Sequence, residues 1–335
     1  MLILANNESN VIAFTVESVR QALDPRDAVY VIADNCQDDT AHKAAAAGAI
    51  VLERQTGAPY SKGAAIKWLV HQAWEQLASY SLLVILDADN RLPSDFMRDV
   101  KAGYPGDCIL QCLVQPVEYQ GSSLSTLITL SEIHEQKTID SIRTYLGWSV
   151  RLRGTGMVIP PHLLKLVADE IDTEVEDFAM SLLFVARGLK IRRNNQAIVF
   201  DPKPRESILA SRQRARWLRG QMLAFWRYRS EIMQLLKRGP IGWALLDSLF
   251  MKPRWLVDLL LTLLAALASS VSWLLAGVVF ARVFVDMLCL VWTIMVSDER
   301  TSFLKAILHV PAFIWMWLRG ILLAFRRSTW LRVRD

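Results

Sequence analysis

Asp87-Ala88-Asp89 follows the apolar run Leu82-Leu83-Val84-Ile85-Leu86. Two carboxylates at i and i+2 just past a buried strand project into the same mouth. Hard oxygen ligands there suit Mg2+ or Mn2+, which bind one or two carboxylates plus substrate phosphates. The motif alone reads equally well as a solvated turn. Asp34-Asn35-Cys36-Gln37-Asp38-Asp39-Thr40 follows a second apolar run, residues 29–33. A carboxylate at a strand end accepts hydrogen bonds from a base or a ribose. That suits Asp34, whereas Asp38 and Asp39 read more plainly as caps of the next helix. Glu176 and Asp177 stand in the run Glu174-Val175-Glu176-Asp177, with Asp172 close by. Clustered acids raise each other's pKa, which helps one act as a general base. The same run also serves as an acidic first helical turn favoured by the helix dipole.

Gln213, Arg216 and Trp217 fall at i, i+3 and i+4, on one helical face. Arginine pairs bidentately with phosphate, and the indole offers a flat surface to a sugar ring or base. A basic amphipathic helix lying on a bilayer is the alternative, and Arg205, Arg212, Arg214, Arg219, Arg227 and Arg229 fit that role. Lys62-Gly63 follows the turn-rich stretch 57–61, and a lysine opening a helix can meet a phosphate. The five histidines show no ligand spacing and read as structural.

The elements that must position these groups follow from periodicity. Residues 1–5, 28–33, 50–53 and 82–86 read as strands, and residues 11–22, 38–47 and 63–78 as helices between them. Strand–helix alternation with short connections predicts a parallel sheet covered by helices. Ligands in such sheets bind beyond the carboxyl ends of the strands. Asn6-Asn7-Glu8, Asp34-Asn35 and Asp87-Ala88-Asp89 all sit at those ends. Further on, 108–114 reads as a strand, 124–142 as a helix, and 151–160 as a strand interrupted by Gly154-Thr155-Gly156. Helices are expected over 174–186 and 205–227.

The chain has 335 residues, of which 53% are hydrophobic, and a formal charge of +5. The apolar excess begins near residue 254. From there to 296 the run is longer than the ~20 residues that one spanning helix needs. It reads as a hairpin of 255–273 and 275–296, turning near 269–272. Arg282 and Asp286, one helical turn apart inside it, are expected to neutralise each other or to face protein. Residues 303–325 read as a third span or an interfacial helix. Basic residues before 254 and in the tail Arg326–Arg334 place both flanks on the cytoplasmic side. The division is then 1–230 catalytic, 231–253 an amphipathic interfacial linker, 254–296 the hairpin and 297–335 the last helix with its basic tail. Cys36, Cys108, Cys112 and Cys289 match neither a disulfide framework nor a zinc site. A cytoplasmic catalytic domain on a bacterial inner membrane is expected. The basic balance carries no nucleic-acid-binding signature, so a membrane lipid surface is the expected partner and nucleic acid is not.

In this order the motifs resemble those of glycosyltransferase family 2, and within it the cellulose-synthase-like and ceramide-glucosyltransferase-like membrane enzymes. The resemblance covers about residues 1–230 and is carried by residues 5–8, 33–40, Lys62-Gly63, 86–90, 154–157, 175–177 and the Gln-x-x-Arg-Trp set at 213–217. It implies an α/β GT-A fold, a Rossmann-like mixed sheet flanked by helices, with an α-helical membrane region after it. It implies a nucleotide-sugar donor, UDP-linked in most of the family, and inversion by direct displacement. Glu8 and Asp34 would hold base and ribose, Lys62 the donor, and Asp87 the ribose and metal. Asp89 would ligate Mg2+ or Mn2+ bridging the diphosphate. Asp177, beside Glu176, would be the general base. Gly154, Thr155 and Gly156 would line the floor where donor and acceptor meet. Gln213, Arg216 and Trp217 would close over diphosphate and acceptor.

Two features depart from the family pattern. Many relatives have His where this chain has Asn6, and many carry membrane helices before the first strand, where this chain starts. Two spans are too few to enclose a polymer. Transfer of one or a few sugars to a lipid-linked or oligosaccharide acceptor, in exopolysaccharide, capsule or glycolipid assembly, is therefore expected. The alternatives are a processive synthase that relies on polysaccharide-assembly subunits for translocation, and a non-catalytic scaffold retaining the fold. The retained Asp34, Asp87, Asp89, Asp177 and Gln-x-x-Arg-Trp set argues against the scaffold.

Overall fold

The computed structural model describes residues 1–56, 61–117, 122–204, 206–270 and 272–325. Most of the turn-rich stretch before Lys62, the first arginine of the basic helix (Arg205) and the basic tail lie outside the described residues. The chain divides into two compact units.

The first unit comprises Met1–Val117, Ile142–Pro202 and Arg219–Leu249. Its centre is a seven-stranded sheet of order β3-β2-β1-β4-β6-β5-β7. The strands are β1 (Leu2–Ala5), β2 (Tyr30–Asp34), β3 (Ile50–Arg54), β4 (Leu83–Asp87), β5 (Ile109–Pro116), β6 (Met157–Ile159) and β7 (Ile191–Asp201). β3, β2, β1 and β4 are mutually parallel. β6 runs antiparallel to both β4 and β5. The sheet is therefore mixed, as the GT-A expectation requires. β1 is buried at every position and reads as an unbroken apolar run because both of its faces are covered. β3, at the edge, is partly exposed.

β5 and β7 are parallel, so β1, β2, β4, β5 and β7 all end on one edge. There the chain leaves β1 and β2 through left-handed asparagines, Asn7 (φ 55°) and Asn35 (φ 50°), a conformation asparagine tolerates better than most residues. Asn6 Nδ2 donates to the Asp34 carbonyl at 2.7 Å and ties the two exits together. The helix expected over 63–78 is two, Lys62–Gln72 and Trp74–Ala78. The helices Phe96–Ala102 and Pro161–Ala168, and the whole of β7, are additions to the sequence expectation.

The second unit comprises Glu118–Ser141, Lys203–Leu218 and Phe250–Asp335. Its regular elements among the described residues are all helices. The apolar hairpin turns where expected: the helix Arg254–Ala268 is C-capped at Ser269, and Ser272 Oγ accepts Leu275 N–H at 3.3 Å to open Trp273–Met295. The first arm has only 15 residues, about 22 Å at 1.5 Å per residue, which is short of a ~30 Å hydrocarbon core. Among the described residues, the two helical runs long and apolar enough to cross a membrane are Trp273–Met295 and Arg300–Phe325. The second is the segment expected as a third span or an interfacial helix.

Arg282 and Asp286 are satisfied across the hairpin more than within their own helix. Arg282 pairs with Asp258, and Arg254 Nη1 lies 3.2 Å from both Asp286 oxygens. Arg282 and Asp286 themselves approach only to 4.0 Å. The helix Ser207–Arg227, whose residues up to Leu218 count with this unit, corrects one expectation. Arg214 does not lie on a bilayer-facing surface. It is 5% exposed, and its guanidinium sits 5.0 Å from the Trp317 ring. Ser211 Oγ on the same face donates to the Met316 carbonyl at 3.1 Å. Arg212, Arg219, Arg227 and Arg229 are exposed, and Arg227 pairs with Asp172 at 2.8 Å.

Candidate active site

The carboxyl edge of the sheet in the first unit brings most of the expected groups together. β4 ends in Asp87, and the next residues cross the edge to β7. Arg91 N–H donates to the Phe200 carbonyl and Phe200 N–H to the Arg91 carbonyl, each at 2.9 Å. This latch sets Asp201 beside the motif. Oxygens of Asp87, Asp89 and Asp201 all lie within 4.8 Å of one another, and all three residues are half-buried. Three hard carboxylate ligands at that spacing fit Mg2+ or Mn2+.

Asp201 is the member that periodicity missed. β7 pairs with β5 through an irregular register, so that Gln111 opposes Arg193 but Leu113 opposes Ile198. The extra residues, Asn194-Asn195-Gln196, break the alternation that marks a strand. One signal was present: Ala197-Ile198-Val199-Phe200 ends in Asp201 as residues 82–86 end in Asp87.

Lys62 opens its helix, N-capped by Ser61, and pairs with Asp87. Its Nζ lies 4.0 Å from Glu176 Oε1. Gly63 makes this approach feasible, because a Cβ there would sit 2.7 Å from Ile171 Cγ2 and 3.2 Å from the Thr173 carbonyl. Gly63→Ala is therefore expected to overpack the contact, at a cost of about 1–3 kcal/mol. Thermal melting should show a loss of roughly 5 °C, together with weaker donor binding as Lys62 moves off Glu176.

Glu176 and Asp177 begin the helix Glu176–Ala186. Glu176 is 5% exposed and Asp177 half-buried. Burial drives the Glu176 carboxyl up to about 7, with the Lys62 ammonium pulling it down and the Asp177 charge adding to the rise. Burial raises Asp177 as well, against the Arg151 guanidinium and the Phe178 N–H, which lower it. Phe178 N–H donates to Asp177 Oδ1 at 2.8 Å. The pair faces the Gly154-Thr155-Gly156 turn. A Cβ on Gly154 would lie 3.7 Å from Glu176 Oε1 and 3.8 Å from Asp177 Oδ2. Both glycines are left-handed, at φ 79° and 64°, and a Cβ on Gly156 would meet Val199 at 3.0 Å. The turn therefore presents bare backbone to the carboxylate pair.

Asp34 is fully buried and its Oδ1 accepts from Arg54 Nη1 at 2.5 Å. Burial raises its carboxyl, while Arg54 and the Ser61 N–H hold it lower. Arg54, at the end of β3, is a partner that the sequence spacing does not indicate. Glu8 is half-buried, and its N–H donates to Thr40 Oγ1 at 2.8 Å. Asp38 accepts from the Thr40 and Ser9 N–H groups, both at 3.1 Å, whereas Asp39, which stands at the N-cap of the helix Thr40–Ala46, makes no side-chain capping bond, against the expectation for it. Gln213, Arg216 and Trp217 belong to the second unit. They are half-buried, on a different face of their helix from buried Arg214 and Ala215.

The model of glycosyl transferase family group 2 matches residues 82–325. No match was found among curated proteins. Similar solved structures include a mycobacterial protein, 20% identical, covering 65% of this chain and 72% of that one with a TM-score of 0.41. Another is glucosyl-3-phosphoglycerate synthase from Mycobacterium tuberculosis with Mg2+ and uridine diphosphate, 18% identical, covering 62% and 73%, TM-score 0.39. A third is S. aureus TarS 1-349 with UDP-GlcNAc, 14% identical, covering 70% and 65%, TM-score 0.43. Likeness this distant says nothing of what the present chain binds.

Proposed function

The chain belongs to glycosyl transferase family group 2, and we propose that it transfers a sugar, with inversion, from a UDP-sugar to a hydroxyl of a lipid-linked or saccharide acceptor at a membrane surface. The observation that carries this reading is the meeting at one sheet edge of two carboxylate groups with different chemistry. Asp87, Asp89 and Asp201 form an oxygen-rich trio, and Lys62 links it to the Glu176–Asp177 pair. A trio of this kind is suited to Mg2+ or Mn2+, and the bound ion supplies positive charge against the leaving diphosphate.

The chain's own groups do the rest. Lys62 adds a cation on the phosphate side. Asp177 takes the proton of the acceptor hydroxyl, because burial raises its carboxyl and so makes it a stronger base than an exposed aspartate. Glu176 keeps Lys62 close, and the Asp177 charge helps to raise the Glu176 carboxyl. Gly154, Thr155 and Gly156 seat the acceptor. Glu8 and Asp34 are assigned to base and ribose, with Arg54 orienting the Asp34 carboxylate. Gln213, Arg216 and Trp217 are assigned to diphosphate and acceptor binding. The helices Trp273–Met295 and Arg300–Phe325 support attachment to a membrane, with the catalytic unit on the cytoplasmic side.

The test is nucleotide release by the detergent-purified full chain. A panel of nucleotide sugars is offered with Mn2+ or Mg2+ and total lipid extract as acceptor. Release of UDP from one donor, abolished by chelation and restored by added metal, is the expected result. A chain that neither binds nor cleaves any nucleotide sugar would be a scaffold.

A further inference from the structure

Asn90 is fully buried immediately after the carboxylate motif, and its amide is shared among three elements. Its Oδ1 accepts the Asp87 N–H at 2.9 Å and also the hydroxyl of Thr155. Its Nδ2 donates to Asp201 Oδ1 at 3.0 Å. Asp87 N–H additionally reaches Thr155 Oγ1 at 3.3 Å. One side chain thus fixes the backbone of the first motif carboxylate, one oxygen of the third carboxylate and the middle residue of the acceptor floor.

Gln111 on β5 holds the same floor from the other side. It is 2% exposed. Its Oε1 accepts Arg153 N–H at 2.8 Å, and its Nε2 donates to the Thr155 and Cys112 carbonyls, each at 2.9 Å. Cys112 N–H donates to the Gly156 carbonyl at 2.8 Å. The Gly154-Thr155-Gly156 turn is therefore anchored from both sides. Its position is set by Gln111 and reported, through the Thr155 hydroxyl, to Asn90.

We propose that Gln111, Thr155 and Asn90 form a hydrogen-bonded relay that couples the metal-ligating carboxylates to the acceptor floor, with Asn90 the positioning residue of the donor side. The inference rests on the metal-dependent transfer proposed above. A buried polar network of this kind is held in one arrangement by its own satisfaction, since each lost partner leaves a desolvated group unpaired. A shift of the floor by an arriving acceptor must therefore move Asn90, and with it Asp201 and the Asp87 backbone. Metal–nucleotide binding and acceptor binding then favour each other, and reciprocally so.

Thr155→Val tests this, because it removes only the hydroxyl and keeps the shape. Mn2+ binding to the full chain in detergent is measured by calorimetry with UDP present, and acceptor KM by UDP release. The expected result is Mn2+ affinity weakened about tenfold, the worth of one buried hydrogen bond, although Thr155 is none of the three carboxylates. Acceptor KM rises with it, and Thr155→Ser returns both to within about threefold of wild type. If Thr155→Val proves too unstable to assay, Thr155→Ala makes the same deletion with less bulk. Acceptor KM raised while Mn2+ affinity stays at the wild-type value would overturn the relay and leave the transfer reading intact. A wild-type chain that binds neither Mn2+ nor UDP would instead overturn the transfer reading, and the relay with it.

Discussion

Asp177→Asn is expected to lower kcat for sugar transfer about a thousandfold while leaving Mn2+-dependent UDP binding within about threefold of wild type. The amide keeps the shape of the carboxylate and can still accept the Phe178 N–H. It cannot take a proton from an attacking hydroxyl. The effect should therefore fall on the chemical step, and single-turnover kinetics beside equilibrium UDP binding separate the two. A variant retaining more than about a tenth of wild-type kcat would remove Asp177 from the base role, since positioned bases contribute about a hundredfold or more.

The wild-type pH profile supplies an independent check. The base must be deprotonated to act, so kcat rises with pH as the carboxyl ionises. Burial raises the Asp177 carboxyl above its ordinary value, so the acid limb should be shifted toward higher pH than for an exposed aspartate.

The parallel half of the sheet was legible because β1, β2 and β4 are short apolar runs that each end in polar residues. A buried parallel strand has to look that way. The same logic located Asp34 and Asp87 at strand ends without any structure. It failed at β7, where polar residues and a register shift against β5 hide the strand, and so it failed at Asp201. It also passed over Asn90 and Gln111. Nothing in local spacing marks a buried amide whose partners lie 65 and 44 residues away.

Charge partners were harder still to read. The sequence suggests Arg282 with Asp286 because helical spacing favours that pair. The hairpin brings Asp258 and Arg254 closer, and shorter contacts take precedence over sequence proximity. Arg214 departs from the expectation for a related reason. A helical face full of arginines looks solvated until a tryptophan from a distant segment packs beneath one of them.

Asp89→Asn is expected to weaken Mn2+ binding in the presence of UDP about a hundredfold, with Asp87→Asn and Asp201→Asn each costing about tenfold. The ranking follows from the motif order and from what already holds the other two carboxylates. Asp87 shares an oxygen with the Lys62 ammonium, and a cation paired there reduces the charge it can offer a metal. One oxygen of Asp201 accepts from Asn90, which orients the group but occupies a lone pair. Asp89 is the residue that the family motif order assigns to the metal, so it is expected to supply the largest share of the binding. The scale is direct Mn2+ calorimetry, with the concentration giving half-maximal UDP release as the second reading. Equal losses at all three positions would mean that the ion is shared symmetrically and that Lys62 leaves Asp87 on binding. A loss at Asp87 larger than at Asp89 would reverse the assignment, making Asp87 the principal ligand and Lys62 a competitor for the ion. Lys62→Gln distinguishes these outcomes: a bystander lysine leaves Mn2+ affinity unchanged, whereas a competing one tightens it when removed, even as donor binding suffers.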